Sequence, residues 1–381
     1  MKKKTGILAS LVLAVFAITL CDLGLAQMAK LAFPWWSGKN QERTYRIQSE
    51  IYHHDLAKNK SVRAVWGSIN YEYHTNNLGF RDKAVREIPK ESDAWRLVFI
   101  GDSFTEGLGV AYEKTFVGRV EQRLEGKCID VLNAAVSSYA PSIYYRKMKY
   151  LIETTGLDID EVVTFIDISD VHDEALKYRL DENDRVADQG FSRVAQTGTM
   201  GPGAPSGLQH LKQWLLENSL LVRFADIVKD QLSLRGDFTE RRLRLNGWES
   251  AWEYDDSAYE NHGQLGLSLA RANMDRLHDL LNRHRIKLRI VIYPWADQIF
   301  RNRIDSRQVV AWSAWAEERQ IPILNLFPAF MAGNDARQTI ANYFIPYDNH
   351  WSEAGHKYIA DLFLHDYVGA DPEAKGASHC Q

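Results

Sequence analysis

Five stretches of this chain are apolar without polar alternation and rich in Val, Ile and Leu: residues 96–100, 128–134, 161–168, 287–293 and 321–327. Strands of that kind are buried on both faces, as in a parallel sheet covered by helices. Between them the period changes to that of an amphipathic helix. Residues 115–125 place Phe116, Val120 and Leu124 on one face, and residues 267–284 place Leu267, Ala270, Met274, Leu277 and Leu281 on one face. Ser306 has the position of an N-cap for a helix whose inner face carries Val309, Trp312 and Ala316. The pattern predicts an α/β fold, a three-layer αβα sandwich around a parallel sheet.

Two intervals break this rhythm. Residues 30–90 are aromatic and polar without strong periodicity, as in Phe33-Pro34-Trp35-Trp36, and read as a linker and an N-terminal extension packed on the main domain. In that extension, Asn77-Leu78-Gly79-Phe80-Arg81-Asp82 reads as a turn with a buried Phe. Residues 171–262 are too many for an ordinary crossover; they hold the loop Gly201-Pro202-Gly203-Ala204-Pro205 and a helix predicted over 208–232. This insertion is expected near the C-terminal ends of the strands, as a lid or as a passive elaboration. The main domain is then 91–370, followed by a tail at 371–381.

At the N-terminus, Lys2, Lys3 and Lys4 precede an uncharged run from Thr5 to Cys21 and, after Asp22, a second apolar piece from Leu23 to Met28. Lysines ahead of an apolar segment keep the N-terminus in the cytoplasm and place the body on the far side of the membrane. Residues 1–29 are therefore expected to be a signal anchor, a transmembrane helix in the bacterial inner membrane with the body in the periplasm or outside the cell. Gly24-Leu25-Ala26 keeps a cleaved signal peptide open as the alternative.

Composition adds little: 45% hydrophobic, 25% charged and a net charge of −4, with no long basic run beyond the N-terminus, which argues against nucleic acid as a partner. Cys21, Cys128 and Cys380 are too scattered for a disulfide framework, and Cys128 reads as a buried thiol. Eleven tryptophans leave two uses open, core packing and stacking on sugars.

The chemistry lies in two segments. Gly101-Asp102-Ser103-Phe104-Thr105-Glu106-Gly107 follows the strand Leu97-Val98-Phe99-Ile100 and reads as a sharp turn presenting one serine. Asp348-Asn349-His350-Trp351 carries an imidazole and a carboxylate two positions apart. Serine is a weak nucleophile and needs a base, and the base needs a group to orient it. Ser103, His350 and Asp348 supply those three roles. Asp102 is expected to bond backbone and hold the turn. His356 competes with His350 as base but is expected to start the final helix. Trp295, after Tyr293-Pro294, and Trp351 are candidates to line the cleft. His172-Asp173-Glu174 and His53-His54 read as solvated loops, and no metal site or cofactor is expected.

Phe99 to Gly107 resembles the first block of the GDSL or SGNH hydrolase superfamily, and Asp348-Asn349-His350-Trp351-Ser352-Glu353-Ala354-Gly355-His356 is similar to its last block. The Asn77–Asp82 segment is similar to one found in membrane-anchored bacterial members, among them proteins of polysaccharide O-acetylation such as that of alginate. The resemblance implies the SGNH-hydrolase fold, a flavodoxin-like sandwich, and an oxyanion hole built from Ser103, Ser138 and Ser169. Ser138, in Asn133-Ala134-Ala135-Val136-Ser137-Ser138-Tyr139, stands at the usual glycine, and Ser169, in Asp167-Ile168-Ser169-Asp170, stands at the usual asparagine. Losing one oxyanion donor typically costs about 2.7–4 kcal/mol in the transition state.

The function the resemblance implies is a serine esterase or O-acyltransferase acting on O-acyl groups, acetyl above all, of a cell-envelope or secreted polysaccharide, with a membrane-bound acyltransferase as a candidate partner. Two alternatives stand beside it: a lipase, lysophospholipase or thioesterase, and a catalytically idle module that binds polysaccharide or scaffolds an export complex.

Overall fold

The structure is a computed structural model. It describes residues 13–14, 17–29, 44–67, 69–189, 214–215, 218–222, 224–225, 247–333, 335–346 and 348–369.

Five parallel strands form the centre: β6 (Trp95–Ile100), β7 (Ile129–Asn133), β8 (Glu161–Ile166), β11 (Lys287–Ile292) and β12 (Ile323–Asn325), in the spatial order β12-β11-β8-β6-β7. In chain order this is 2-1-3-4-5 read from the β7 edge, the flavodoxin-like order. β6 and β8 are buried at every position, which is why neither shows polar alternation. The switch in direction falls between β6 and β8, paired from Leu97–Glu161 to Ile100–Thr164. Open sheets of this kind bind their ligands beyond the carboxyl ends of the strands at that point.

Helix α2 (Phe116–Leu124) packs with the C-terminal helix α7 (Glu353–Gly369). Helix α5 (Gln264–Arg283) packs on α3 (Pro141–Lys149) and on α4 (Ser169–Leu176). Helix α6 (Arg307–Glu318) lies on β11 and β12. Right-handed crossovers from β6 to β7 and from β7 back towards β12 put the two groups on opposite faces. Phe116, Val120 and Leu124, and Leu267, Ala270, Met274, Leu277 and Leu281, are all buried. Ser306 caps α6 by accepting from the Val309 N–H at 3.3 Å.

The N-terminal extension does more than pack. β3 (Ser61–Trp66), β4 (Ile69–Thr75) and β5 (Arg81–Asp82) add to the β7 edge as antiparallel strands. β1 (Arg46–Ser49) and β2 (His53–Leu56) form a separate hairpin. Tyr71, Tyr73 and Thr75 are the inward positions of β4, a period-2 signal inside an interval read as having none. The turn before β5 is built as expected, with Phe80 fully buried. The Asn76 side-chain Oδ1 accepts from the Leu78 and Phe80 N–H groups. Gly79 sits at φ +80, where a Cβ would lie 2.6 Å from the Leu56 carbonyl oxygen.

Within the insertion, α4 is followed by the hairpin β9 (Tyr178–Leu180) and β10 (Val186–Asp188). Of the interval 208–232, residues 214–215, 218, 220–222 and 224–225 are helical and Ser219 lies buried between them; its other residues, the 201–205 loop and the 371–381 tail lie outside the described residues. So do residues 1–12 and 15–16 of the segment 1–29, whose residues 13–14 and 17–29 are helical; among the described residues no helix is long and apolar enough to cross a membrane. Cys128 is not a buried free thiol: it is half-buried and disulfide-bonded, on the turn before β7. Spacing in sequence carries no information on the approach that a disulfide needs.

Candidate active site

Ser103 opens α1 (Ser103–Glu106), one turn of helix at the end of β6. Asp102 is its N-cap and accepts from the Phe104 N–H at 3.0 Å. Gly107 ends it in the left-handed conformation, φ +79, where a Cβ would lie 2.5 Å from Thr115 Cγ2. Arg81, fully buried, donates to the carbonyls of Glu106 (2.5 Å), Gly107 and Val110 and so pins the loop behind the nucleophile. Gly101, Asp102 and Ser103 therefore hold their places through neighbours on both sides.

His350 Nε2 lies 2.8 Å from Ser103 Oγ, and His350 Nδ1 lies 2.5 Å from Asp348 Oδ1. Asp348 Oδ1 also accepts from the His350 backbone N–H at 2.8 Å. With Nδ1–H given to the carboxylate, Nε2 presents its lone pair and the serine hydroxyl donates to it. Asp102 Oδ2 is a second acceptor for that hydroxyl, at a longer 3.2 Å. Burial by itself would raise the Asp348 carboxyl, but hydrogen bonds from His350 and from the Trp66 indole N–H outweigh it and bring it down to about 2. Asp348 is thus ionised at neutral pH.

Trp66 is a site residue that the sequence did not disclose. Its Nε1–H donates to Asp348 Oδ2 at 2.8 Å, and its ring meets His350 edge-on at 4.9 Å. It comes from β3, in the extension, 282 positions before its partner. Glu106 is another. It is buried, accepts from Arg46 through both oxygens (2.9 and 3.1 Å), from Tyr73 OH at 2.7 Å and from the Ser137 N–H at 2.6 Å. Burial acts to raise its carboxyl, yet the Arg46 charge and these donors hold it below its ordinary value.

Three expected positions are corrected. Ser169 does not face the reacting hydroxyl as a free donor: its N–H and its hydroxyl both go to Asp167 Oδ1, at 2.7 and 2.6 Å. Trp351 does not line a cleft but is fully buried against Phe104, Phe116 and Tyr293. Trp295 is also buried, stacked on Phe104, and its indole N–H donates to Asp167 Oδ2 at 2.7 Å. Asp167 thus collects donors from Ser169, Trp295 and Tyr293 and forms, with Asp102 and Asp170, a group of buried carboxyls behind the nucleophile. Burial, and mutual repulsion for Asp102 and Asp170, raises all three above the ordinary carboxyl range.

Ser138 stands in the left-handed region, φ +64, which explains why glycine is usual there. His356 is buried in α7 and its Nδ1 accepts from the Phe116 N–H at 3.2 Å, so it is no competitor for the base role. Neither histidine segment is a solvated loop. His172, Asp173 and Glu174 are buried on α4, and His53 and His54 bond into the body of the molecule. His172, Asp173 and Glu249 bring ligand atoms within 4.8 Å of one another, but the Lys177 ammonium already bridges Asp173 (2.8 Å) and Glu249 (3.4 Å).

No family model matches the chain, and no curated protein matches it. Solved structures do. A lipolytic protein of the G-D-S-L family from Veillonella parvula overlaps 72% of this chain and 99% of its own, at TM-score 0.37 and 11% identity. The lipase/acylhydrolase from Enterococcus faecalis overlaps 72% and 96%, at 0.39 and 13%. A catalytic mutant of Axe2, an acetylxylan esterase from Geobacillus stearothermophilus, overlaps 73% and 96%, at 0.39 and 15%. These overlaps are partial, and the reading of the site rests on its own geometry.

Proposed function

We propose that this chain is a serine hydrolase or acyltransferase of the SGNH type that acts on O-acyl esters, with Ser103 as nucleophile, His350 as base and Asp348 as the group that orients it. The observation that carries this reading is the unbroken relay from Ser103 Oγ through His350 to Asp348, at 2.8 and 2.5 Å. Ser103 Oγ bonds to the acyl carbon while its proton passes to His350 Nε2; the imidazolium then protonates the departing alkoxide. In the second half His350 takes a proton from water (esterase) or from a sugar hydroxyl (transferase), whose oxygen bonds to the acyl carbon; the acyl–Ser103 bond then breaks and the imidazolium returns the proton to Ser103 Oγ. The backbone N–H groups of Ser103 and Ser138 are the proposed oxyanion donors; Ser169, engaged by Asp167, is not among them.

The acetyl group and a polysaccharide acceptor are proposed from the motifs' resemblance to membrane-anchored O-acetylation proteins. The N-terminal apolar segment and the disulfide at Cys128 both favour an oxidising compartment outside the inner membrane.

Intact-mass measurement of the full-length protein after exposure to p-nitrophenyl acetate and, separately, to a fluorophosphonate tests the reading. One adduct on Ser103, absent in Ser103→Ala and His350→Ala, is the expected result. A folded protein that takes neither reagent would favour the idle binding module or an enzyme that needs its partner. Among p-nitrophenyl esters, acetyl is expected to be turned over fastest; rates that climb with acyl length would favour a lipase.

A further inference from the structure

The loop after β7 carries Ser137 and Ser138 beside the nucleophile's turn, with the Val136 N–H donating to the Gly101 carbonyl at 3.3 Å. Ser138 is exposed and has positive φ, an arrangement that a serine keeps only when its surroundings over-determine it. The backbone groups of these two residues show what does so. The Ser137 N–H goes to Glu106 Oε2 at 2.6 Å. The Ser137 carbonyl faces His54 Nε2 at 2.8 Å. The Ser138 carbonyl accepts from the Tyr178 hydroxyl at 2.8 Å. Three separate elements, α1, β2 and β9, thus hold three of the four groups. The fourth, the Ser138 N–H, makes no hydrogen bond among the described residues.

His54 is itself fixed on every side. Tyr139 OH donates to its backbone carbonyl at 2.8 Å, and the neighbouring Asp55 is held by a buried ion pair with Lys147 at 2.8 Å. The His54 ring meets Tyr139 and Tyr178 at 4.9 and 6.4 Å between centroids. His53 Nδ1 lies 2.7 Å from His54 Nδ1, and His53 Nε2 lies 2.9 Å from Asp188 Oδ1. Burial keeps the His54 imidazole neutral, with its pKa lowered to about 4. A neutral ring that accepts at Nδ1 from His53 carries its hydrogen on Nε2, the atom that faces the Ser137 carbonyl.

We propose that His54 and Tyr178 are positioning residues for acyl transfer at Ser103: they clamp the Ser137 and Ser138 carbonyls so that the Ser138 N–H is presented to the developing oxyanion. The clamp rests on the proposed serine mechanism and extends it. It supplies what the missing asparagine would otherwise share, a donor that needs no reorganisation when charge develops.

The test uses the full-length protein and follows the second-order rate at which a fluorophosphonate labels Ser103, together with kcat and KM on p-nitrophenyl acetate. In labelling, the Ser103 Oγ–P bond forms, the P–F bond breaks, fluoride leaves and the hydroxyl proton passes to His350. Tyr178→Phe removes one oxygen and His54→Phe removes the ring donor. Each is expected to slow labelling and lower kcat about tenfold or more, with KM within about twofold and the final labelling still complete. His54→Gln, whose amide N–H can replace the imidazole donor, is expected to recover most of the rate. Wild-type labelling rates in both phenyl variants would overturn the clamp while leaving the serine mechanism intact. A His54→Gln variant as slow as His54→Phe would overturn the hydrogen bond as its cause. Should His54→Phe label incompletely because part of it is unfolded, Tyr178→Phe decides alone. An unlabelled wild type would remove the serine mechanism, and the clamp with it.

Discussion

Asp348 keeps two donors on its two oxygens, the His350 imidazole on one and the Trp66 indole on the other. Trp66 touches the acid and the base but not the nucleophile, so its effect is one of orientation. Trp66→Phe keeps most of the ring and deletes the N–H; kcat on p-nitrophenyl acetate is expected to fall about tenfold with KM little changed. Ser169 gives the opposite expectation. Its hydroxyl is spent on Asp167, which keeps the Ser169 backbone N–H in any case. Ser169→Ala is therefore expected to retain turnover within about threefold, whereas removal of a true oxyanion donor costs about 10²–10³ in kcat. Steady-state kinetics of the two variants side by side distinguishes a residue that matters without being in a motif from one that sits in a motif position without the motif's role.

Between elements, two buried carboxylates act in different ways. Glu106 ties α1 to β1 through Arg46 and to the β7 loop through Ser137. Arg46→Ala leaves that charge buried and unmatched, and a loss of about 3–5 kcal/mol is expected from the shift in urea midpoint. Glu174 joins α4 to the start of α3 at the Ser142 N–H (2.5 Å) and to α5 at Asn273 (2.8 Å). Burial pushes its carboxyl up to about 7. Between pH 4.5 and 7 the unfolded chain releases this proton and the folded one keeps it. Its contribution is thus full below about pH 4.5 and declines as pH rises towards 7, by about 3 kcal/mol. Asp348, brought down to about 2, works in the other direction and weakens the fold only as pH drops below about 4. Glu174→Gln is expected to flatten the neutral limb of stability against pH while leaving the acid limb in place, a comparison that denaturant titrations at several pH values provide.

Across the whole molecule, what was legible followed from burial pattern. The five parallel strands, α2, α5, α6 and the capping Ser306 are all local signals, apolar runs or a 3.6 period, and each is found within a few residues of its expected place. The approach of Ser103, His350 and Asp348 was legible because the two blocks that hold them are short. What escaped was long-range or hidden by its own burial. Trp66 reaches Asp348 from an interval of weak period, and nothing in its neighbourhood names a partner so far along the chain. Trp295 and Trp351 look like cleft residues in a linear reading because one follows the end of a strand and the other follows His350, but large rings beside a buried strand end fill the core first. His54 read as part of a solvated loop, and Glu106 stood in the first block without a role; the partners of each lie far along the chain, and sequence does not name them. The disulfide at Cys128 was invisible for the same reason, and reduction during unfolding is expected to lower stability by about 2–4 kcal/mol, measured as a shift of the denaturation midpoint with dithiothreitol.

The relay joins residues 247 positions apart, with the acid held from 282 positions upstream. A ribosome adding about 5–20 residues each second finishes the nucleophile on the order of tens of seconds before it makes the base. During that interval the emerging chain holds an ordinary, unreactive serine. On the proposed mechanism, competence waits until His350 has been made, so a fragment released before that point carries the first motif and none of the proposed chemistry.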